Sequence, residues 1–224
     1  MRRGISTVAP ILVVVFVLAA CAPLLADTPA PSSVPTECAT SASTPGPDTE
    51  WPPPDTCGEF LPAPDLLYLP VEFAGCGSTV SVMGGDSRTL EYTSTVRDDG
   101  STLVEYRGSY TLDIARDYGG GLDAFVDELD VSGQGYDLHS TDGVTVTYSR
   151  EGPAIFASVD AVEAQVFAEE GFPALFFFES GTVTEKVVFT GSDALAVDEA
   201  EFTENTVSGV QSICYLLDPS NPGE

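Results

Sequence analysis

The sequence is poor in basic residues. It holds 8 Lys and Arg against 35 Asp and Glu among 224 residues, a formal net charge of −27, and Lys186 is its only lysine. A surface with this surplus of negative charge repels nucleic-acid phosphates and anionic lipid headgroups. We therefore exclude a nucleic-acid partner and interpret the acidity as a source of solubility.

Histidine and tryptophan are equally scarce, with His139 and Trp51 as the single copies. A serine hydrolase needs an imidazole base beside its nucleophile, and the chain has no Gly-x-Ser-x-Gly elbow. Asp137 and His139 share one face of a predicted strand, where they could form a dyad, but a solvated His139 is the favoured interpretation. A single tryptophan also disfavours a glycosidase cleft, although a secreted hydrolase stays among the alternatives.

Metal ligands are few as well. The cysteines form no Cys-x-x-Cys pair, and one histidine adds little to them, so a zinc site is not expected. The segment Asp130-x-Ser132-x-Gln134-Gly135 opens like a calcium loop, but Thr141 occupies the position of the closing bidentate acid. We assign no catalytic, cofactor-binding or metal-ligating residue from the sequence.

Long apolar runs are limited to residues 11–20, shortly after Arg2 and Arg3. This run is too short to span a bilayer, which takes about 20 apolar residues. A positive start followed by a short apolar region is typical of a signal peptide. The run ends in Leu18-Ala19-Ala20-Cys21.

That ending resembles the lipobox of bacterial lipoproteins, and the resemblance covers residues 1–21 only. It implies cleavage before Cys21 and a diacylglyceryl thioether on its sulfur. The membrane partner would then be reached through this lipid, with the protein held on the extracytoplasmic face of the cell membrane. An ordinary secretory signal or an N-terminal membrane anchor is the alternative.

Proline marks the next segment. Residues 22–64 contain 11 of the 17 prolines and no basic residue, a composition that does not bury enough apolar surface to fold alone. We therefore expect a signal peptide at 1–20, lipidated Cys21 with a Pro/Ser/Thr-rich tether at 21–64, one strand-rich domain at 65–218 and a C-terminal tail at 219–224.

Four cysteines remain once Cys21 carries a lipid, and an even number in an exported protein predicts two disulfides. We favour Cys38–Cys57, which closes a local loop in the tether, with Cys76–Cys214, which joins the start of the sheet to its end. Cys57–Cys76 with Cys38–Cys214, and Cys57–Cys214 with Cys38–Cys76, remain open.

Short alternating segments separated by turn dipeptides dominate residues 65–218, which predicts antiparallel hairpins. Gly84-Gly85, Asp98-Asp99-Gly100 and Asp142-Gly143 are among the expected turns. The predicted strands are 67–73, 79–83, 88–96, 102–107, 110–115, 136–140, 144–148, 155–159, 164–168, 174–178, 182–190 and 209–217. Phe176-Phe177-Phe178 puts aromatic side chains on both faces of its strand, so that strand should be central and covered on both sides.

Two segments break the strand pattern. Leu122, Phe125, Val126 and Leu129 recur at helical spacing and predict a short amphipathic helix, and 194–204 is a second, weaker helix prediction. The fold class is therefore α+β and strand-rich: a large, curved antiparallel sheet with one or two short helices packed on it. A closed antiparallel β-barrel is the alternative.

No motif specifies an activity, so the predicted function is general. We expect a non-enzymatic binding or contact module that the lipid anchor displays in the cell envelope. The alternative is a carrier of an apolar or lipid ligand held between sheet and helix. Its cavity would be lined by Phe125, Phe156, Phe176 and Phe178.

Overall fold

The computed structural model describes residues 52–117, 122–191 and 196–220. The strands, in chain order, are β1 (Leu61–Pro62), β2 (Val71–Gly75), β3 (Ser78–Arg88), β4 (Glu91–Val96), β5 (Thr102–Arg107), β6 (Tyr110–Asp117), β7 (Leu122–Asp130), β8 (Gly135–His139), β9 (Thr145–Glu151), β10 (Ala154–Ala157), β11 (Leu175–Phe178), β12 (Thr182–Phe189), β13 (Val197–Asn205) and β14 (Gln211–Ser212). The helices are a 3-10 turn (Asp65–Tyr68), α1 (Ala161–Glu169) and α2 (Ile213–Leu217).

The strands form three antiparallel sheets. Seven strands follow the order β1-β4-β5-β8-β9-β12-β13, four follow β2-β3-β6-β7, and three follow β10-β11-β14. Each sheet keeps two open edges within the described ranges, so none of them is a closed barrel. The strand-rich α+β prediction is confirmed, although the expected single sheet is divided into three.

Two predicted hairpins are present. The turn at Gly100, where φ is +84°, joins β4 to β5, and the Asp142-Gly143 turn joins β8 to β9. Asp142 Oδ1 accepts hydrogen bonds from the backbone N–H groups of Val144 (3.0 Å) and Thr145 (2.8 Å). These dipeptides fold locally because their side chains and positive φ values complete the turn without help from the rest of the chain.

Gly84-Gly85 is not a turn, which corrects the predicted hairpin between 79–83 and 88–96. Both glycines lie inside β3, where other parts of the chain approach closely. A Cβ atom on Gly84 would lie 2.9 Å from Tyr68 Cβ, and one on Gly85 would lie 2.6 Å from Glu128 Oε1. Gly84 therefore lets Tyr68 pack directly against β3, a close approach for which glycine also occurs in strand interiors.

The predicted helix at residues 122–129 is a strand, β7. Leu112 pairs with Leu129, and Ile114 pairs with Val126, so β7 carries one extra residue there. This β-bulge, with Glu128 at φ +52°, places Val126 and Leu129 on the same face three residues apart. This three-residue spacing is the same as that of one helical turn, which explains the mistaken helix. Phe125 points away from the core, with 50% of its surface exposed.

The predicted helix at residues 194–204 is also wrong where it is described, because Val197–Asn205 forms β13. Val188 pairs with Glu199 and Phe189 pairs with Val197, which leaves one unpaired residue between them. Val197 and Ala200 therefore lie three residues apart on the covered side. Residues 192–195 lie outside the described residues.

The one longer helix among the described residues, α1, occupies the predicted strand at 164–168. Asp160 is its N-cap: Oδ1 accepts from the backbone N–H of Val162 (2.9 Å) and of Glu163 (3.1 Å). Glu163, three residues later, accepts from the backbone N–H of Val159. Reciprocal contacts of this kind resemble a capping box, which outweighs the strand propensity of the apolar residues.

β11 is central in the three-stranded sheet, as predicted. Phe176 and Phe178 face α1 and pack with Phe167 in one apolar cluster, while Phe177 belongs to the cluster shared with the four-stranded sheet. Phe176 and Phe172 stack with ring centroids 4.5 Å apart. Both faces of β11 are therefore covered by apolar side chains.

The ends of the domain differ from prediction. The first predicted strand (67–73) is the 3-10 turn followed by β2, and the last (209–217) is β14 followed by α2. Packing also begins before residue 65: Thr56 is 2% exposed, and its hydroxyl lies 2.8 Å from that of Thr93. No helix among the described residues is long and apolar enough to cross a bilayer.

The Cys76–Cys214 disulfide is confirmed, with the two Cα atoms 5.1 Å apart. It connects the turn after β2 to α2, which excludes both alternative pairings. Cys57 is also disulfide-bonded. Cys38, its predicted partner, lies outside the described residues, as does Cys21.

Candidate functional site

A cavity of about 190 Å³ lies where the three sheets meet. Each sheet contributes apolar side chains to its wall, including Phe73 and Val82 from the four-stranded sheet, Ile155 and Phe156 from the three-stranded sheet, and Phe189 from the seven-stranded sheet. Leu69 also lines it and is 58% exposed, which places this residue where the cavity meets solvent.

One wall of the cavity is polar and comes from a single row across the seven-stranded sheet. Asp137 on β8 pairs with Tyr148 on β9, and Tyr148 pairs with Glu185 on β12. Residues directly opposite one another across a sheet share the same face, and all three line the cavity. Tyr106 and Arg150 complete this wall.

Asp137 is held by two partners. Arg150 Nη2 lies 2.7 Å from Asp137 Oδ1, and the Tyr106 hydroxyl donates to Asp137 Oδ2 at 2.8 Å. Burial, followed by the charge of Asp137, keeps the pKa of Tyr106 well above its ordinary value. Burial alone would lower the pKa of Arg150, but Asp137, Tyr106 and Tyr148 together outweigh burial and raise that pKa. Arg150 is therefore cationic and Tyr106 neutral at pH 7, and both hold Asp137 in place.

Two carboxyl groups, Glu163 on α1 and Glu185 on β12, face each other beside this trio. They are 3% and 1% exposed and share a hydrogen bond. Burial raises the pKa of Glu163 to about 7 and that of Glu185 to about 10. Two carboxyl groups in contact in an apolar site cannot both ionise at neutral pH, so the pair holds a proton.

Two polar atoms at this wall have neither a hydrogen bond nor an ion pair among the described residues: Glu185 Oε1 and the Tyr148 hydroxyl. His139 Nε2, next to this wall on β8, has no hydrogen-bond partner there either. The neighbouring tyrosines differ, because the Tyr106 hydroxyl donates to Asp137 and the Tyr110 hydroxyl donates to the Leu67 carbonyl at 3.0 Å. Polar groups left unpaired inside a protein are few and call for an explanation.

His139 is half-buried rather than solvated, which corrects the sequence interpretation. It lies on the same face of β8 as Asp137, as the alternation predicted, but that face points inward. Burial lowers the pKa of His139, against the opposing influence of Asp137. A neutral imidazole results, with Asp137 already taken up by Arg150 and Tyr106.

Of the four phenylalanines predicted to line an apolar cavity, Phe156 does so. Phe176 and Phe178 are fully buried in the apolar cluster against α1 and are not among the residues that line the cavity, and Phe125 is half-exposed on β7. The row of Asp137, Tyr148 and Glu185 was missed. Its signal was the inward alternation of β8, β9 and β12, which places these residues on one face.

A second acidic group lies on β6 and β7, where ligand oxygens of Asp113, Asp127 and Glu128 are within 4.8 Å of one another. Thr111 Oγ1 donates to Glu128 Oε2 at 2.5 Å, and the Glu128 backbone N–H donates to Asp113 Oδ1 at 3.0 Å. These contacts fix the bulge in β7, and we assign no metal to the group.

No family model, curated protein or solved structure matches the chain. The function is therefore argued from the cavity and its wall. What they define is a strand-rich α+β domain with an apolar internal cavity and one polar side.

Proposed function

We propose that this protein is a lipid-anchored component of the cell envelope whose domain binds an apolar ligand in the cavity between its sheets. The observation that carries the proposal is the cavity of about 190 Å³ with its mainly apolar lining. An apolar cavity of about 150 Å³ is sufficient to bind benzene. The ligand is thus a small apolar molecule or the end of a longer lipid.

The geometry favours this carrier over a contact module. Within the described ranges, the large exposed apolar side chains are Leu69, Val96, Phe125, Val162, Val210 and Tyr215. Each lies on a different strand, helix or loop, so no single element presents an exposed apolar face, and single exposed apolar residues are ordinary on protein surfaces. The geometry also favours binding over glycoside hydrolysis, because that chemistry needs carboxyl groups separated by about 5–9.5 Å, whereas Glu163 and Glu185 are hydrogen-bonded.

Binding of toluene tests the cavity. We expect the full chain, purified without detergent, to bind toluene with a Kd at or below about 1 mM, measured by calorimetry. Ala157→Leu adds volume inside the cavity wall and should weaken binding at least about tenfold, since overpacking leaves the ligand no room. Ala168→Leu, on the exposed side of α1, is the matched control and should bind as the wild type does. Equal affinity for all three proteins, or none for the wild type, contradicts the proposal.

Replacing Cys21 tests the anchor. Leu18-Ala19-Ala20-Cys21 supports lipidation, and two acyl chains suffice for stable membrane attachment. We expect Cys21→Ala to release the protein from the membrane fraction or to leave it as an unprocessed precursor, as judged by fractionation and intact mass. Cleavage and membrane retention equal to those of the wild type would show that Cys21 does not carry the anchor.

A further inference from the structure

The polar wall of the cavity has hydrogen-bonding atoms that no described residue pairs with. Glu185 is 1% exposed, lines the cavity, and its Oε1 has no donor among the described residues. The hydroxyl of Tyr148, its direct partner across β9 and β12, is also unpaired within the described ranges. An unsatisfied buried polar group is costly in free energy. Two of them on one cavity wall indicate that a bound molecule supplies the missing partner.

The charges at this wall limit what that molecule can be. Arg150 is the only basic residue among the described residues that line the cavity, and both of its terminal nitrogens are engaged. Nη1 donates to the carbonyls of Tyr136 (2.9 Å) and Ser149 (2.8 Å), and Nη2 pairs with Asp137. A carboxylate or phosphate ligand would therefore meet Glu163 and Glu185 without a free cation to offset them.

A ligand whose polar group donates a hydrogen bond fits this wall better than an anion. A hydroxyl or ammonium group placed against Glu185 supplies the hydrogen bond that the carboxyl group lacks. The Tyr148 hydroxyl can then donate to a ligand oxygen or accept from a ligand nitrogen. The apolar remainder of the ligand lies against Phe156 and Phe189, which line the same cavity.

We propose that the cavity selects apolar ligands whose single polar end donates a hydrogen bond and carries no negative charge, an alcohol or an amine, with that end bound by Glu185 and Tyr148. This inference rests on the proposed function, since it assigns the ligand class of the same cavity. It goes further in predicting that fatty-acid-like carboxylates are excluded.

The test compares four probes that share one ring: toluene, benzyl alcohol, benzylamine and benzoate. Binding to the full chain is measured by calorimetry at pH 7. We expect benzyl alcohol or benzylamine to bind at least about tenfold more tightly than benzoate, a difference of about 1.4 kcal/mol. The stronger of the two donors identifies whether the natural polar end is neutral or cationic.

Variants at position 185 separate the role of the carboxyl group from the shape of the cavity. Glu185→Leu should lose about tenfold in affinity for the donor probes while toluene binds as before or better. Glu185→Gln keeps an acceptor oxygen and, like the protonated carboxyl group, donates to Glu163, so both donor probes should stay within about threefold of their wild-type affinity. Glu204→Leu, exposed on β13, is the control and should change nothing.

The outcomes distinguish this inference from the proposed function. If toluene binds but benzoate equals or exceeds both donor probes, the ligand class is wrong and the apolar cavity stands. The ligand class is equally wrong if Glu185→Leu leaves the affinity for the donor probes unchanged, or if Glu185→Gln lowers it as much as Glu185→Leu does. If no probe binds the wild-type chain, the proposed function itself fails.

Discussion

Removing the Cys76–Cys214 disulfide by the double replacement Cys76→Ala and Cys214→Ala is expected to lower the free energy of unfolding by about 5 kcal/mol. The two cysteines are 138 residues apart in sequence. In the chain-entropy description, a cross-link restricts the unfolded chain more as the loop grows, with about 4.7 kcal/mol for a 100-residue loop. Both cysteines are 5% exposed within the cluster beneath the four-stranded sheet, so lost packing adds to the effect.

Guanidinium unfolding under oxidising conditions measures this loss. The matched control is the double variant Cys38→Ala and Cys57→Ala, which we expect to open a much shorter loop and to cost about 3 kcal/mol. A larger loss in this control than in the Cys76–Cys214 variant would contradict the view that the long bridge joins the two ends of the fold. Equal losses would do so as well.

The parts of the fold that could be predicted from the sequence are those set by neighbouring residues. Asp142-Gly143 closes a hairpin through its own side-chain contacts and positive φ, so these two residues are sufficient to predict the turn. The triple phenylalanine of β11 likewise indicates a strand covered on both faces. In both cases the sequence pattern and the final structure depend on the same few residues.

Both mistaken helices have one physical cause. In β7 and in β13 a β-bulge inserts one residue, so core-facing side chains recur after three positions instead of two. Val126 and Leu129 are an example, and that spacing is indistinguishable from one turn of a helix in the sequence. The true helix was missed for the opposite reason, because its signal was the Asp160-x-x-Glu163 cap rather than an apolar stripe.

The candidate site was less accessible to prediction than the fold. The alternation of β8 correctly put Asp137 and His139 on one face, but only the packing of the other two sheets turns that face inward. The partner of Glu185 lies on a different element, α1, and no local pattern connects them. Acidic residues are rarely buried unless they are paired. Glu163 and Glu185 are paired only because the fold brings α1 and β12 together, so their burial could not be predicted from either segment alone.

The buried acid pair predicts how stability depends on pH. In the unfolded chain, Glu163 and Glu185 lose their protons near their ordinary pKa of 4.5, whereas burial holds the folded values at about 7 and about 10. Between these limits the folded state binds more protons than the unfolded state, so the free energy of unfolding falls as pH rises. The stabilising contribution is complete below about pH 4.5 and is lost progressively toward pH 10.

Glu185→Gln should therefore stabilise the protein at alkaline pH. The amide keeps a hydrogen bond to Glu163 without needing a proton, and Glu163 can then ionise against a neutral donor. Each pH unit over which the folded state holds one additional proton is worth about 1.36 kcal/mol. We expect the variant to gain about 2–4 kcal/mol over the wild type at pH 8 and little at pH 5.

Unfolding titrations between pH 5 and pH 9 check this expectation, with Glu204→Gln as the exposed control that should follow the wild type.

The other groups near the pair are Asp160 at the helix cap and Tyr148, Asp137 and Arg150 on the sheet. His139 acts in the opposite sense, because its lowered pKa makes the folded state bind fewer protons as pH falls. A fall in stability between pH 7 and pH 9 thus isolates the carboxyl pair. A wild-type curve that is flat or rising there, or a Glu185→Gln curve with the wild-type slope, would mean that the two carboxyl groups do not share a proton in the folded protein.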